Sequence, residues 1–363
     1  MLLYQIALTL VPGIGDVLGK KLISYCGNPE QIFREPKKML QKIPRISDKL
    51  ITAIGNKDLL NRARKEILFI EKYRIKPLYF QDKDYPSRLR NCLDSPIMLY
   101  YKGNTEINMA KVVGVVGTRS ATEYGKEICS KIILELVDHQ VLIVSGLAYG
   151  IDSCAHRAAI AAGLPTVGVL GHGLDRIYPG QNKGLAEKMV RNGGLLTDFI
   201  SETNPDRENF PQRNRIIAGL CDAIVVVEAA KKGGALITAD IANSYNRDVF
   251  AVPGKIGDIF SEGSNFLIKI NKAALIQSGE DIRYMMGWDT KKPGRTSQQR
   301  KLFIEMTHEE EIVVKILNDE GETGIDELTI KSGLSMSKCS ASLLNLEFEG
   351  VIKSLPGKMY SLC

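Results

Sequence analysis

The sequence predicts a doubly wound α/β domain with a mainly parallel sheet, flanked by two smaller domains. Six short apolar runs between residues 112 and 252 alternate with segments of helical periodicity. Most of these runs end in turns that contain glycine. Runs that are apolar on both faces and separated by helices are typical of a parallel sheet covered by helices on both sides.

The strands and helices of this domain follow one another in a regular order. The expected strands lie at residues 112–116, 141–144, 166–170, 195–197, 223–227 and 249–252. The expected helices between them lie at residues 122–139, 152–162, 183–191, 209–220 and 237–245. A further strand is expected at residues 98–101, after Pro96. Together these elements predict a Rossmann-like domain at residues 76–288.

Residues 1–75 are predicted to form a helical domain with a degenerate internal repeat. The segment VPGIGD at residues 11–16 recurs as IPRISD at residues 43–48. This pattern is typical of a helix-hairpin-helix (SAM-like) domain, whose hairpin glycines and helix N-terminus can bind phosphate. Arg45 and Ser47 replace both glycines of the second copy, so we expect that copy to be structural. For the first copy, packing without a DNA contact is an equal alternative.

The C-terminal part of the chain changes character twice. Residues 289–301, DTKKPGRTSQQRK, contain no apolar side chain and are predicted to form a basic linker. Residues 302–363 are predicted to form a winged helix, with three helices before a hairpin that turns at Pro356-Gly357. From residue 308 onward, five lysines and no arginines stand against ten acidic residues. Because an acidic surface repels phosphate, we expect this domain to contact protein rather than DNA.

Charge and composition restrict the partners and the compartment. The chain carries +6 and its last 56 residues carry −5, so the part before residue 308 carries about +11. Such a surface favours a polyanion partner, although a solvated basic surface is an alternative. No apolar run is long enough to span a membrane, and the first residues do not resemble a signal peptide. Seven scattered cysteines without a Cys-x-x-Cys pair indicate reduced thiols in the cytoplasm and no metal site.

Candidate DNA-binding residues come from the turns that follow the strands. In a doubly wound sheet these turns meet at one edge, where backbone N–H groups and helix N-termini bind phosphate. Arginine suits phosphate oxygens, and aromatic rings in the same loops suit the stacking of bases. The aromatic candidates are Tyr149, Tyr178, Phe199 and Phe210, for each of which covering the core is the alternative. The predicted binding set comprises Gly117, Thr118, Arg119, Ser145, Gly146, Asn182, Lys183, Arg213, Asn214, Arg215, Gly233 and Gly234.

Several catalytic chemistries lack the residues that they need. The turn at residues 114–120 is not Gly-x-Gly-x-x-Gly, and no acidic residue follows the second strand, which argues against a dinucleotide cofactor. Neither a P-loop nor a Gly-x-Ser-x-Gly elbow occurs. Asp152 and His156 are four residues apart, but two ligands do not make a metal site. We expect Asp152 to cap its helix and the protein to be a binding protein, without cofactor, metal or catalytic activity.

The sequence resembles the DNA-processing protein A (DprA, also called Smf) family over most of residues 80–285. The resemblance rests on five motifs in order: VGVVGTRSATEYG, SGLAYGIDSCAHRAA, LGHGLDRIYPGQN, FPQRNRIIAGL and KGGALITADIA. The flanking helix-hairpin-helix and winged-helix segments also look like the longer members of the family. One departure lies at Gly233-Gly234-Ala235, where family members often have Ser-Gly-Ser.

The resemblance implies a function as well as a fold. It implies a cytoplasmic homodimer that binds and protects incoming single-stranded DNA and loads the recombinase RecA during natural transformation. It implies a basic pocket that includes Arg119 and Lys183, with Arg213 and Arg215 as further members. It also implies a dimer contact near residues 266–276, where the apolar side chains are Phe266, Leu267, Ile270, Leu275 and Ile276. Packing of these side chains on their own sheet is the alternative.

Two other classes of function remain as alternatives. The α/β domain also resembles nucleotide phosphoribohydrolases with the pattern Pro-Gly-Gly-x-Gly-Thr-x-x-Glu. Aligned on residues 232–240, this chain has Asp240 at the position of the catalytic acid. Leu236 and Ile237 replace the second glycine and the threonine, and we expect their side chains to fill the phosphate space. The third class is a transcription regulator that binds duplex DNA through the winged helix.

Overall fold

The structure is a computed structural model that describes residues 1–288 and 306–363. The linker expected at residues 289–301, and the first residues of the segment expected to form the winged helix, lie outside the described residues. The described residues divide into two compact units. One contains Met1–Tyr245 and Val249–Ile282, and the other contains Asn246–Asp248 and the residues from Arg283 onward. No described helix has both the length and the apolar character needed to cross a membrane.

The N-terminal segment folds into six short helices. These are α1 (Leu2–Thr9), α2 (Asp16–Cys26), α3 (Pro29–Arg34), α4 (Lys37–Leu40), α5 (Asp48–Ile54) and α6 (Lys57–Tyr73). Asn28, Ser47 and Asn56 accept backbone N–H groups at the starts of α3, α5 and α6, which satisfies donors that the helices leave free. Gly13, in the first hairpin, has φ +85°, a conformation that favours glycine.

The apolar core of these helices continues into the sheet. The buried cluster that contains Ile6, Leu22 and Ile70 also contains Met98 and Tyr100. The helices therefore pack directly on strand residues and share one compact unit with the sheet. The helix-hairpin-helix class of this segment, and its boundary at residue 75, stay predictions.

The strands before residue 280 form one nine-stranded sheet within the described residues. They are β1 (Lys76–Tyr79), β2 (Met98–Gly103), β3 (Val112–Val116), β4 (Leu142–Ser145), β5 (Thr166–Val169), β6 (Gly193–Thr197), β7 (Ala223–Val226), β8 (Asp248–Ala251) and β9 (Ala274–Leu275). Their order is β1-β2-β6-β5-β4-β3-β7-β8-β9. The pairs of β3 with β4 and with β7 are parallel, whereas β2 pairs antiparallel with β6. The predicted mainly parallel α/β fold is confirmed.

Helices cover both faces of this sheet. They are α7 (Ser87–Arg90), α8 (Glu123–Leu134), α9 (Ile151–Ala161), α10 (Lys183–Arg191), α11 (Asn209–Leu220), α12 (Gly234–Ser244), α13 (Glu262–Lys269) and α14 (Gly279–Met285), with 3-10 turns at Val137–His139 and Gly180–Asn182. The predicted helices at 183–191 and 209–220 match α10 and α11 residue for residue. The helix expected at 122–139 is shorter, because α8 ends at Leu134 before the first 3-10 turn.

The order of the strands creates a crevice beside β3. The next strand along the chain, β4, lies on one side of β3, and β7 lies on its other side. The helices that follow β3 and β7 therefore leave the sheet in opposite directions, which opens a space at the carboxyl ends of these two strands. Every residue of β3 is buried, so the strand holds the crevice on a rigid base.

The second unit contains the predicted winged helix. Its elements are α15 (His308–Glu320), β10 (Thr323–Gly324), α16 (Ile325–Ser332), α17 (Met336–Phe348), β11 (Ile352–Leu355) and β12 (Met359–Leu362). Thr307 and Glu310 form a capping box at the start of α15. On α17, the Nζ atom of Lys338 lies 2.9 Å from Oε1 of Glu309. The charge of this lysine is therefore paired within its own domain.

Candidate nucleic-acid interface

A cavity of about 320 Å³ lies at the crevice between β3 and β7. This cavity, the rim pocket, is lined by the turn at residues 117–119, the turn at residues 232–234 and the start of α11. Asp152 and Ala148, which follow β4, complete the wall. Of the predicted binding set, the rim pocket brings together Gly117, Thr118, Arg119, Arg213, Asn214, Gly233 and Gly234.

Two glycines hold the turns close to neighbouring atoms. A Cβ atom on Gly117 would lie 2.5 Å from Cγ1 of Ile151, on α9. A Cβ atom on Gly146 would lie 2.3 Å from Nη1 of Arg213 and 2.3 Å from Oδ2 of Asp152. Since real Cβ atoms do not approach this closely, a side chain at either position would force neighbouring atoms to move. Gly146 thus keeps room for two charged groups beside the rim pocket.

Gly233 and Gly234, in the other turn that lines the rim pocket, are not packed closely against neighbouring atoms. No atom lies within 4 Å of the position that a Cβ atom on Gly233 would take, and only Asn214 lies near that of Gly234. Gly233 has φ 171°, an extended conformation that any residue adopts. These glycines therefore leave open space and exposed backbone at the start of α12, rather than allowing close packing.

One aromatic ring stands beside two cationic side chains. The Cζ atoms of Arg119 and Arg213 lie 5.5 Å and 5.9 Å from the centroid of the Phe210 ring. The ring of Tyr178 lies 6.1 Å from the same ring, centroid to centroid. Guanidinium groups over an aromatic face are attracted by the quadrupole of the ring. These cation–π contacts stabilise the positions of both arginines and of Phe210. Charge and a stacking surface are thus combined at one point of the rim pocket.

Arg213 is the buried member of this group, with 5% of its surface exposed. Its Nη1 atom donates to the backbone carbonyl of Val169. Its Nε atom is buried and has no hydrogen-bond partner among the described residues. Burial lowers the pKa of Arg213, and the nearby carboxylate of Asp152 partly opposes this shift. An arginine remains charged under such a shift, so the rim pocket contains a buried cation that is incompletely hydrogen-bonded.

Asp152 lies in the wall of the rim pocket and does not cap α9, which corrects the expectation for this residue. The N-cap of α9 is Gly150, and no side chain accepts a hydrogen bond there. Burial raises the pKa of Asp152, while the charge of Arg213 acts in the opposite direction. The carboxylate balances part of the charge of Arg213, which explains how the guanidinium is tolerated below the surface.

His156 lies below the loop that contains Gly146 and is fully buried. Its Nε2 atom lies 3.1 Å from the carbonyl oxygen of Gly146, and its Nδ1 atom lies 2.6 Å from Oγ1 of Thr166. Burial lowers the pKa of His156 to about 4, so the ring is neutral near pH 7. Because a carbonyl oxygen only accepts, the neutral ring donates from Nε2 to Gly146. His156 thereby fixes this turn from below.

Two further predicted residues support the turns from behind. The hydroxyl of Ser145 donates to the carbonyl oxygen of Val115 at 2.6 Å. The side-chain amide of Asn182 donates to the carbonyl oxygens of Leu147 and Ala148 at 2.9 and 3.4 Å. Both side chains are buried, and neither lines the rim pocket. They position the turn after β4 rather than offering a free polar atom to a ligand.

Lysines stand at the margins of this region. Lys232 lines the rim pocket and is exposed. Lys183 is exposed at the first residue of α10, outside the lining of the rim pocket. A contact between Lys183 and a ligand therefore requires a ligand that extends beyond the cavity. Phe199 is half-buried and lies outside the cavity as well.

Arg215 does not join the rim pocket, which corrects the expectation for this residue. Its Nη2 atom lies 2.9 Å from both Asp16 and Asp198, and its Nη1 atom donates to the carbonyl oxygen of Asp94. Since Arg213 and Arg215 are two residues apart on α11, their side chains leave the helix about 200° apart. One arginine faces the rim pocket, and the other joins the N-terminal helices to the sheet.

Glu228 is a supporting residue that sequence reasoning missed. Its buried carboxylate accepts from the backbone N–H of Thr122 at 3.0 Å and from the hydroxyl of the same residue at 2.5 Å. Its backbone carbonyl accepts from the N–H of Thr118 at 2.7 Å. Glu228 thus ties the end of β7 to the turn after β3. An acidic residue directly after the apolar run VVV was the available signal.

The acidic residue of the hydrolase alternative does not line the rim pocket. Asp240 is exposed, and its carboxylate lies 2.6 Å from the Nζ atom of Lys272. Leu236 packs against the core of the sheet, and Ile237 is 42% exposed. Neither fills the rim pocket, so the expectation that they occupy phosphate space is wrong. Ala235 and Thr238 line the cavity instead.

The segment expected to form a dimer contact has two kinds of apolar side chain. Leu267 and Ile276 are buried in the chain's own core, which agrees with the packing alternative for these two. Phe266, Ile270 and Leu275 are 55%, 39% and 44% exposed. Leu275 lies on β9, the last strand in the order of the sheet. An exposed apolar surface therefore lies at this edge.

The fold and the site define a class of protein: a Rossmann-like sheet with a basic, aromatic pocket at its crevice, followed by a winged helix, as in DNA-processing proteins. The chain belongs to the DNA recombination-mediator protein A (DprA) family, whose sequence model matches residues 76–287. The model of the DprA winged helix domain matches residues 305–358.

Relatives in sequence and in structure agree with this assignment. Protein Smf of Synechocystis sp. is 33% identical, with 98% of each chain covered. The X-ray structure of DprA from Streptococcus pneumoniae has a TM-score of 0.65 and 32% identity, covering 78% of this chain and 98% of that chain. DNA processing protein A from Helicobacter pylori, described for its single-stranded DNA binding mode, has a TM-score of 0.54 and 27% identity, covering 60% of this chain and 97% of that chain.

Proposed function

We propose that this chain binds single-stranded DNA in the rim pocket, with Arg119 and Arg213 at phosphates and Phe210 stacked on a base. The observation that carries the proposal is the contact of both guanidinium groups with the Phe210 ring beside glycine turns. Phosphate is an anion with several acceptor oxygens, which suits the guanidinium groups that line the rim pocket. The single-stranded DNA binding described for the relative from Helicobacter pylori supports the same ligand.

The pocket has properties that suit a polymer without sequence preference. Its cationic groups include the guanidinium groups of Arg119 and Arg213, and guanidinium groups bind phosphate without regard to base sequence. A stacked ring accepts any base. Lys232 adds a cation to the lining of the rim pocket, and Lys183, exposed outside the lining, gives a further phosphate a counter-charge. We therefore expect binding with a strong dependence on salt and a weak dependence on sequence.

The proposed biological role is supported by membership of the family. Delivery of bound single strands to the recombinase RecA, with protection of incoming DNA during natural transformation in the cytoplasm, is the role that membership of this family supports. The winged helix, whose Lys338 is paired with Glu309, serves protein contact rather than duplex DNA. Incubating the chain with RecA and DNA coated by a single-strand-binding protein tests delivery, and RecA filaments that form no faster would contradict it.

The proposed assembly is a homodimer through the exposed apolar surface at α13 and β9. Phe266, Ile270 and Leu275 are exposed there and would be buried by a second copy. We expect Ile270→Glu to convert a dimer into a monomer in sedimentation equilibrium without a change in the far-UV circular dichroism spectrum. A wild-type chain that is monomeric at micromolar concentration would contradict the assembly.

The binding proposal is tested by a salt titration with Arg119→Ala. We expect the variant to weaken binding of single strands by about 1–3 kcal/mol and to reduce the salt slope by about 0.7, because one phosphate contact is lost. Lys131→Ala is the matched control, since Lys131 is a cation on α8 with 60% of its side chain exposed. Unchanged affinity and slope for Arg119→Ala would overturn the proposal.

A further inference from the structure

A second groove lies between α9 and α10, apart from the rim pocket. Its volume is about 370 Å³. The residues that line it are Arg157, Ile160, Ala161, Gln181, Leu185 and Lys188. None of these belongs to the rim pocket or to the set of candidates predicted from the sequence. We call it the α9/α10 groove.

The composition of the α9/α10 groove matches the chemistry of a nucleic-acid strand. Arg157 stands on one helix and Lys188 on the other, and both are exposed. Ile160 and Leu185 are among the apolar lining residues, and both are more buried than the two cations. None of the six lining residues is acidic. A groove with cationic walls and apolar side chains can accept phosphates and the faces of bases together.

The two cations of the groove differ in their pairing from four other exposed lysines of this chain. Lys126, Lys272, Lys331 and Lys338 each lie within 3 Å of a carboxylate oxygen. Among the described residues, neither Arg157 nor Lys188 has a carboxylate within ion-pair distance. Two unpaired cations that face one groove produce a positive potential that an anionic ligand would neutralise.

A continuous line of residues joins this groove to the rim pocket. A small depression shares Arg119, Ala148 and Phe210 with the rim pocket and extends to Tyr178 and Pro179. Next along the chain beyond Ala148, the hydroxyl of Tyr149 donates to the side chain of Gln181, which lines the α9/α10 groove. Tyr149 is 43% exposed and Tyr178 is 47% exposed. Two accessible rings therefore stand along the path between the two cavities.

We propose that the α9/α10 groove is a second binding segment for single-stranded nucleic acid, into which a strand passes from the rim pocket over Tyr149 and Gln181. This inference rests on the proposed function and extends it, because it assigns the direction in which the strand leaves the rim pocket. Arg157 and Lys188 contact phosphates of this outer segment. A strand too short to cross Tyr149 does not reach them.

The test compares two lengths of oligothymidylate on the full chain. We expect Arg157→Ala/Lys188→Ala to weaken binding of a strand of about 20 nucleotides by about tenfold. The salt slope for that strand falls by about 1.4, since about 0.7 is lost for each of two phosphate contacts. A strand of about 6 nucleotides binds the double variant as it binds the wild type. Lys131→Ala serves as the matched control and should change the affinity for neither strand.

Arg119→Ala separates the two proposals. If the rim pocket is the primary site, this variant has a lower affinity for the long strand and for the short strand. Arg119→Ala could lower the affinity for both strands while the double variant lowers the affinity for neither. In that case the α9/α10 groove is not a binding segment, and the proposal for the rim pocket is retained. If Arg119→Ala changes the affinity for neither strand, the proposal that DNA binds in the rim pocket is wrong. The charge-reversal variant Arg157→Glu must bind the long strand more weakly than the wild type does. An affinity equal to that of the wild type would likewise overturn the inference.

Discussion

Arg215 and Asp198 form an ion pair below the surface, with 2.9 Å between Nη2 and Oδ2. Their side chains are 16% and 11% exposed. Burial alone would lower the pKa of Arg215, but Asp198 and Asp16 raise it above its ordinary value. The same guanidinium group thus neutralises two carboxylates, one of them on the N-terminal helix α2. A side chain predicted to bind DNA instead joins the N-terminal helices to the sheet.

We expect Arg215→Ala to lower the free energy of unfolding by about 3 kcal/mol, because two carboxylates lose their shared cation. Urea denaturation measures this change. The fraction that remains folded should bind single strands within about twofold of the wild-type affinity. Arg119→Ala is the matched comparison, since it should lower affinity and leave stability unchanged. A stable Arg215→Ala protein with weakened DNA binding would return Arg215 to the binding surface.

Gly146, packed against Arg213 and Asp152, and Gly233, in the lining of the rim pocket, should differ in their tolerance of a methyl group. Gly146→Ala places a Cβ atom 2.3 Å from Arg213 and Asp152, so we expect a loss of about 1–3 kcal/mol in stability and weaker DNA binding. Gly233→Ala meets no atom within 4 Å, and its stability should change by less than about 0.5 kcal/mol. Thermal unfolding of the two variants provides the comparison. Equal destabilisation would show that the turn before α12 is more tightly packed than the structure indicates.

The buried His156 should make the stability of the fold depend on pH. Its pKa is about 4 in the folded chain and about 6.5 in the unfolded chain, so the unfolded state binds the proton more readily. The contribution is complete above pH 6.5 and is lost as the pH falls toward 4, by up to about 3 kcal/mol. The raised pKa of Asp152 acts in the opposite direction and is common to both proteins compared below.

His156→Gln isolates this contribution. We expect urea midpoints measured between about pH 7 and about pH 4.5 to fall less steeply for the variant than for the wild type. The difference between the two slopes belongs to the histidine, because all other titrating groups are shared. Parallel slopes would mean that His156 is protonated at the same pH in both states.

The sequence predicted the sheet and its rim well, because local patterns determine them. Apolar runs of four or five residues mark buried strands, and the glycine turns mark where those strands end. The turns at residues 117–119 and 232–234 met in space as expected, since parallel strands bring their carboxyl ends to one edge.

The sequence alone does not determine which individual side chains face the rim pocket, for a geometric reason. Arg213 and Arg215 alternate on one helix, so the sequence implies that they face different directions, but the rotation of α11 decides which one faces the pocket. That rotation depends on the packing of Ile216 and Ile217 against the sheet, which involves residues distant in the chain. Asp152 illustrates the same limit: its position one residue inside α9, rather than at the cap, changed its role from capping to lining the rim pocket.

The open space around Gly233 has an evolutionary consequence. Because a side chain there meets no neighbour, natural variation or laboratory selection can add a hydroxyl group or a charge at this position without cost to folding. The tightly enclosed Gly117 and Gly146 offer no such freedom. The affinity of the protein for its ligand can therefore diverge between lineages while the fold that supports the site stays the same.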